Sequence, residues 1–358
     1  MADRYTYLPF VGLFMAIAWS LNDLIARFAP ASTPPRDKEP KTVPRGASSP
    51  ARPSTALALV TGLVTVALLA AAFATNHQIR FWENSETLFR HAAEVTRNNY
   101  LAYNNLGYYL SNRGNVPEAL ENYKMALKIK PDYEDALNNL GYALAAQKKY
   151  GEAIEQYERA LKIRPNHIEV HNNLGNALSD IGRIDEAIPH YKSVLEQKPD
   201  HADAHNNYGV VLAMKGQFEE AIHHFHEALR HKPGYASAHS NLGNTYAVQH
   251  KLDQAIAEYQ ESLKLSPNDA QAYNNLGNVL AEQGKLDEAA IDYNQALKLN
   301  HDNPEAHFNL GMVLLRLSRK DEAAHHFREA LRLKPDYADA EKQLRALSGP
   351  AGVEPLNR

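Results

Sequence analysis

Tyr100 to Tyr133 reads YLAYNNLGYYLSNRGNVPEALENYKMALKIKPDY, and Glu134 to His167 reads EDALNNLGYALAAQKKYGEAIEQYERALKIRPNH. Laid over one another, they share an NNLGY core, an alanine twelve residues after the glycine, a tyrosine four residues later and a proline near the end. The 34-residue offset then continues without an insertion. The glycines are Gly107, Gly141, Gly175, Gly209, Gly243, Gly277 and Gly311. The alanines are Ala119, Ala153, Ala187, Ala221, Ala255, Ala289 and Ala323, and the aromatics Tyr123, Tyr157, Tyr191, Phe225, Tyr259, Tyr293 and Phe327. A fixed period of this length marks stacked supersecondary units, none of which can bury its apolar face alone.

Local chemistry makes each unit a pair of helices. Alanine and aromatic stand at i and i+4, on one helix face; the aromatic is expected to fill the gap with the following repeat. Gly114, Gly182, Gly216 and Gly284 fall where a left-handed residue would end the first helix. Pro131, Pro165, Pro199, Pro233, Pro267 and Pro335 end the second. In the sixth unit His301 holds that register and Pro304 follows, so a re-angled junction with stacking retained is expected.

This pattern resembles the tetratricopeptide-repeat (TPR) family over about two thirds of the chain. The resemblance implies an all-α fold, a superhelical solenoid of seven 34-residue helix-turn-helix repeats over residues 100–337. The family's usual tryptophan early in the first helix is replaced by Tyr103, Leu137, His171, His205, His239, Tyr273 and His307. Residues 76–99 read as a half-repeat cap, with Phe89 and Ala92 in the aromatic and small registers. Residues 338–347 read as a charged capping helix and 348–358 as a disordered tail.

Two residues before every glycine stands an asparagine: Asn105, Asn139, Asn173, Asn207, Asn241, Asn275 and Asn309. Asparagine is a middling helix former, so seven occurrences need another reason. By the resemblance, first helices line the concave face of the superhelix, which makes these residues candidate peptide-binding groups. A carboxamide both donates and accepts, so it can pair with an extended backbone at about 0.5–1.5 kcal/mol per bond. The alternative is architectural, with the amides bridging neighbouring helices through backbone groups. A second asparagine precedes at Asn104, Asn138, Asn172, Asn206 and Asn274, replaced by Ser240 and Phe308. Such a ladder is similar to that of the nucleocytoplasmic O-linked N-acetylglucosamine transferases; their glycosyltransferase domain is not in this sequence, so that enzyme identity is not expected.

Composition excludes several classes. The chain has no cysteine, which removes disulfides and thiolate chemistry. A net charge of -4 argues against a nucleic-acid partner. No phosphate loop, nucleophile elbow or dinucleotide fingerprint occurs, and the aspartates fall at inter-repeat turns, where capping is expected. Neither a catalytic centre nor a cofactor is expected. Seventeen histidines, among them His223, His224, His226, His325 and His326, lack an i, i+4 pair with a supporting carboxylate, so no metal is expected and solvated helix faces are.

The N-terminal region reads differently. Thr55 to Thr75 carries no charge and is long enough for a transmembrane helix. Leu8 to Phe28, interrupted by Asn22 and Asp23, reads as a first span, with a cleavable signal peptide as the alternative. Residues 29–54 form a proline-rich linker expected to be disordered. Arg27, Arg36, Lys38, Lys41, Arg45 and Arg52 concentrate positive charge there, against Arg4 and Arg80 on the outer flanks. The positive-inside rule puts the loop in the cytosol and the array outside it, and Tyr5, Tyr7, Phe81 and Trp82 fit aromatic anchors at the outer face. A bacterial inner-membrane protein with a periplasmic array is therefore expected. The opening Asp3-Arg4-Tyr5-Thr6-Tyr7-Leu8-Pro9 with Trp82 and Leu88-Phe89 resembles the last membrane portion of the multispanning TPR-containing O-mannosyltransferases. That resemblance implies the acceptor-presenting C-terminal part of a membrane glycosyltransferase, whose catalytic segments lie outside this sequence. The partners expected are proteins or extended peptides, plus a membrane through the two helices.

Overall fold

The computed structural model describes residues 55–80 and 82–348. These fall into two units, one ending at Thr87 and the other beginning at Leu88. The expected first span, the basic linker and the tail beyond Ser348 lie outside the described residues.

The first unit contains α1 (Thr55–Arg80). Leu59, Leu63, Val66, Leu69 and Phe73 are exposed on it, and the Thr75 hydroxyl donates to the Ala71 carbonyl at 2.8 Å. Among the described residues no helix is long and apolar enough to cross a membrane. The second expected span is thus seen as a helix but not supported as a membrane helix.

The second unit begins within α2 (Ser85–Val95), whose Phe89 packs on the core of the array. Seven helix pairs follow. The first helices are α3 (Tyr100–Asn112), α5 (Glu134–Ala146), α7 (Ile168–Asp180), α9 (Ala202–Met214), α11 (Ala236–Val248), α13 (Ala270–Glu282) and α15 (Pro304–Arg316). Their partners are α4 (Val116–Ile129), α6 (Tyr150–Ile163), α8 (Ile184–Gln197), α10 (Phe218–His231), α12 (Leu252–Leu265), α14 (Leu286–Leu299) and α16 (Lys320–Leu333), and α17 (Ala338–Ser348) closes the stack. No strand occurs among the described residues.

The amphipathic pattern explains each second helix. In α10, Phe218, Ala221, Ile222, Phe225, Ala228 and Leu229 recur at helical spacing on one stripe. Glu219 and Glu220 open that helix and Arg230 and His231 close it, matching charge to both ends of its dipole. The first helices end on a left-handed residue, Gly114, Gly182, Gly216 or Gly284, as their spacing predicts; Lys148, His250 and Ser318 take the same conformation without glycine. In all seven turns the next backbone N–H returns to the carbonyl five residues back, as Asn115 does to Leu110 at 2.9 Å. Capping at the first-helix N-termini departs from expectation: of the aspartates only Asp269 caps by side chain, the other side-chain caps being Asn99, His201 and Asn303.

The core repeats one contact. A Cβ placed on any of the seven column glycines would lie 2.6–3.0 Å from the ring of the aromatic sixteen residues later. Glycine is therefore required by the aromatic, which lies on its own repeat rather than only filling the gap with the next. Tyr191 does both, stacking with Tyr208 of the following repeat at 6.4 Å between ring centres. First helices of neighbouring repeats also approach one another more closely than second helices do. In a curved stack the closer elements lie on the inside, so the first helices line the concave side.

Candidate functional site

The seven asparagines of the column are all half-buried on those first helices, and six of them reach back to the preceding repeat. Asn139 Nδ2 donates to Asn104 Oδ1, Asn173 to Asn138 and Asn241 to Asn206, each at 3.0 Å. Asn207 instead donates to Asn176 at 2.9 Å, Asn275 to Asn244 at 2.9 Å and Asn309 to Asn278 at 3.0 Å. Asn105, in the first repeat, only accepts, at 3.5 Å from Asn104. The amides do bridge repeats, but through side chains rather than the backbone.

The residue after each glycine decides which partner is used. Where it is Asn176, Asn244 or Asn278, the next repeat bonds there; where it is Tyr108, Tyr142 or Val210, the bond falls back to the residue three before the glycine. The same three asparagines accept from core hydroxyls: Tyr191 to Asn176 at 2.8 Å, Tyr259 to Asn244 at 2.6 Å and Tyr293 to Asn278 at 2.6 Å. Where the position is Val210 or Met312, the core aromatic is Phe225 or Phe327, which has no hydroxyl. Tyr259→Phe is therefore expected to cost about 1 kcal/mol, whereas Tyr157→Phe, which loses no such bond, should change stability by under about 0.5 kcal/mol. Urea midpoints of the two variants check this.

The ladder keeps unused capacity. Each column amide has two N–H groups and two acceptor lone pairs, yet Asn139, Asn173, Asn241 and Asn309 accept no bond on Oδ1. The amides are thus held in fixed orientation by one bond, with acceptors spare along the concave side. Asn274 Oδ1 is buried without a partner, because Asn309 bonds Asn278 instead.

Profiles of the tetratricopeptide repeat match residues 100–166, 132–200, 172–236 and 304–337, and a TPR-repeat profile matches 249–284 and 277–318. The chain belongs to the tetratricopeptide-repeat family. Two curated relatives are the mouse and human Protein O-mannosyl-transferase TMTC3, 35% and 33% identical over 69 residues, 19% of this chain and 8% of theirs. The chain is therefore similar to a small part of those proteins. Among solved structures, the Cut9–Hcn1 hetero-tetramer aligns over 74% of this chain and 51% of its own at TM-score 0.60 and 17% identity. A TPR protein from Parabacteroides merdae aligns over 70% and 99% at TM-score 0.55 and 19% identity. PilF of Pseudomonas aeruginosa aligns over 58% and 95% at 0.53 and 22%. At these identities the structures support the fold alone, one typical of protein–protein interaction.

Histidines stand at four of the seven positions of the usual TPR tryptophan. Of the histidines expected on solvated faces, His223, His226 and His325 are exposed, while His224 and His326 are half-buried and pair across helices. His171 Nδ1 lies 2.9 Å from His190 Nδ1, His205 from His224 at 2.9 Å, and His307 from His326 at 3.0 Å. The other nitrogen of each first-helix ring faces a carbonyl closing the preceding repeat: Pro165 at 2.8 Å, Pro199 at 2.9 Å and His301 at 3.1 Å. A carbonyl only accepts, so that nitrogen carries the hydrogen, and Nδ1 of the neutral ring accepts a hydrogen bond from its histidine partner. Each ring thus ties together both helices of its repeat and the end of the one before. His301 supplies the same carbonyl as the prolines, which explains why stacking continues through the sixth junction. His239 makes the corresponding contact to Glu258 at 2.6 Å. Burial first, and the partner ring second, push His190, His224 and His326 down to about 4. No group of three or more metal-ligating side chains occurs among the described residues.

Proposed function

We propose that the array is a membrane-anchored protein–protein interaction scaffold whose concave side binds extended polypeptide through the asparagine ladder. The observation that carries this reading is the row of oriented amides with spare acceptors on Asn139, Asn173, Asn241 and Asn309. An extended chain presents a backbone N–H on one edge at every second residue, so acceptors two repeats apart, as on Asn173, Asn241 and Asn309, face the same edge. Binding through the backbone reads little sequence, so the partner class is unfolded or extended segments, and the array binds rather than catalyses.

Anchoring rests on the uncharged stretch from Thr55 to Thr75 and on the exposed apolar side chains of α1. The charge asymmetry about the 29–54 loop favours an extracytoplasmic array, in a bacterial inner membrane. A second reading follows from the partial likeness to the O-mannosyl-transferases: the array would present acceptor polypeptides to a membrane-embedded glycosyltransferase whose catalytic segments lie outside this sequence.

The test is a peptide array probed with the full chain, wild type against Asn173→Ala, Asn207→Ala and Asn241→Ala combined. Each loses an inter-repeat bond, so binding is compared at a temperature where circular dichroism shows equal helicity. Loss of binding to extended peptides supports the ladder as the site. Unchanged binding would confine these amides to architecture.

A further inference from the structure

On each first helix the positions equivalent to 101, 105, 108 and 112 follow i, i+4, i+7 and i+11, a single stripe that carries the asparagine column to the concave side. In three of the seven repeats the residue after the glycine serves the core, by accepting a tyrosine hydroxyl at Asn176, Asn244 and Asn278. In the first two repeats it does not. Tyr108 and Tyr142 stand 58% and 61% exposed, and neither hydroxyl has a hydrogen-bond partner. Packing does not account for two large rings held in solvent.

The same stripe exposes apolar surface again at Met214 and Val248, 60% and 62% accessible in the fourth and fifth repeats. Between the two apolar stretches lies the third repeat, whose stripe carries Glu169 and Asp180. Asp180 makes no ion pair, whereas Glu169, at the other end of the helix and about 16 Å away, lies 3.0 Å from His167.

We infer that the concave side selects extended segments in which two apolar side chains bracket a basic one. This rests on the reading that an extended polypeptide lies along the ladder. Neighbouring helices pack about 8–10 Å apart and a strand rises about 3.3 Å per residue, so each repeat spans about three ligand residues. The first anchor sits on Tyr108 and Tyr142, the basic residue falls about three positions on against Asp180, and the second anchor follows at a similar distance near Met214. The ladder supplies affinity for backbone, and this sorted stripe supplies the preference among sequences.

The test is fluorescence anisotropy of the full chain with labelled peptides in one Ser/Thr/Gln background. One peptide carries leucine, lysine and leucine at that spacing, a second replaces both leucines with serine, and a third replaces lysine with glutamate. The first is expected to bind about tenfold tighter than either other. Tyr108→Ser with Tyr142→Ser should erase the advantage over the serine peptide while leaving serine-peptide binding unchanged. Asp180→Asn should erase the advantage over the glutamate peptide. All three side chains lie at the surface, so thermal midpoints should stay at the wild-type value. Equal binding of the three peptides, or preferences that survive both variants, overturns the inference and leaves the ladder reading intact; binding of none overturns both.

Discussion

Lowering the pH from about 7 to about 4.5 is expected to destabilise the TPR array by about 2 kcal/mol. His190, His224 and His326 are held near 4 in the fold, against about 6.5 when unfolded. With the folded value depressed, the unfolded chain takes up protons across this window that the fold refuses. The stabilisation is fully present above about 6.5 and is lost as pH falls towards about 4. Each ring would contribute close to 3 kcal/mol at full burial, and partial solvent access reduces that to about 1. His205 and His307 are lowered too, by burial, although the carbonyls of Pro199 and His301 raise them. Nearby charges pull both ways: His223 and His325 disfavour protonation, while Glu186, Glu227 and Glu329 favour it. Asp292 opposes the trend. Burial, then Glu288, raises it to about 6, so the fold gains its proton first and recovers about 1 kcal/mol on acidification, again after discounting for solvent access. The check is urea unfolding against pH, with His190→Gln, His224→Gln and His326→Gln combined as control. Glutamine already stands in this register at Gln156 and does not titrate. The dependence should flatten, leaving Asp292 opposed by His205 and His307; a slope equal to wild type would remove the three substituted histidines as its cause.

Sequence spacing made the solenoid legible because its determinants are local. A glycine and an aromatic sixteen residues apart belong to one hairpin, and seven copies leave no other reading. What spacing did not reveal is partner choice across helices. The asparagine column was visible, but its bonds join residues 31 or 35 apart, and Asn207 lies within reach of both Asn172 at 3.5 Å and Asn176 at 2.9 Å, contacts between repeats that the spacing within one does not show. A signal was nevertheless present: the position after the glycine is asparagine only where the core aromatic is tyrosine, and Val210 and Met312 accompany Phe225 and Phe327. The histidine pairs left a similar trace nineteen residues apart, with His171, His205 and His307 matched by His190, His224 and His326, and His239 by Glu258. Spacing within one helix does not show it, since the contacts run between helices. Exposure of Tyr108 and Tyr142 was also hidden, because aromatic content alone does not separate a core ring from a surface one.

Tyr157→Ala is expected to cost about 3–5 kcal/mol, the range for emptying a buried aromatic site, and Gly141→Ala about 1–2 kcal/mol in the same direction. The sign of the second is the informative part. In an exposed helix, alanine in place of glycine gains about 1 kcal/mol, and Gly151, with nothing within 4 Å of its Cβ position, should behave that way. At Gly141 the new Cβ would lie 2.6 Å from Tyr157 Cε1 and 2.9 Å from two further ring atoms. The ring is only 1% exposed, with Ala153 and Ala160 fully buried in the same helix, so it has little room to retreat. Overpacking of about 1–3 kcal/mol then outweighs the propensity gain. The two substitutions should not add. Once Tyr157 is alanine the clash is gone, and Gly141→Ala should become neutral or stabilising while partly filling the cavity, a coupling of about 1–3 kcal/mol in a double-mutant cycle. Urea unfolding of wild type, both single variants and the double variant measures it. Additive costs would show that the glycine column is kept for a reason other than the aromatic lying on it.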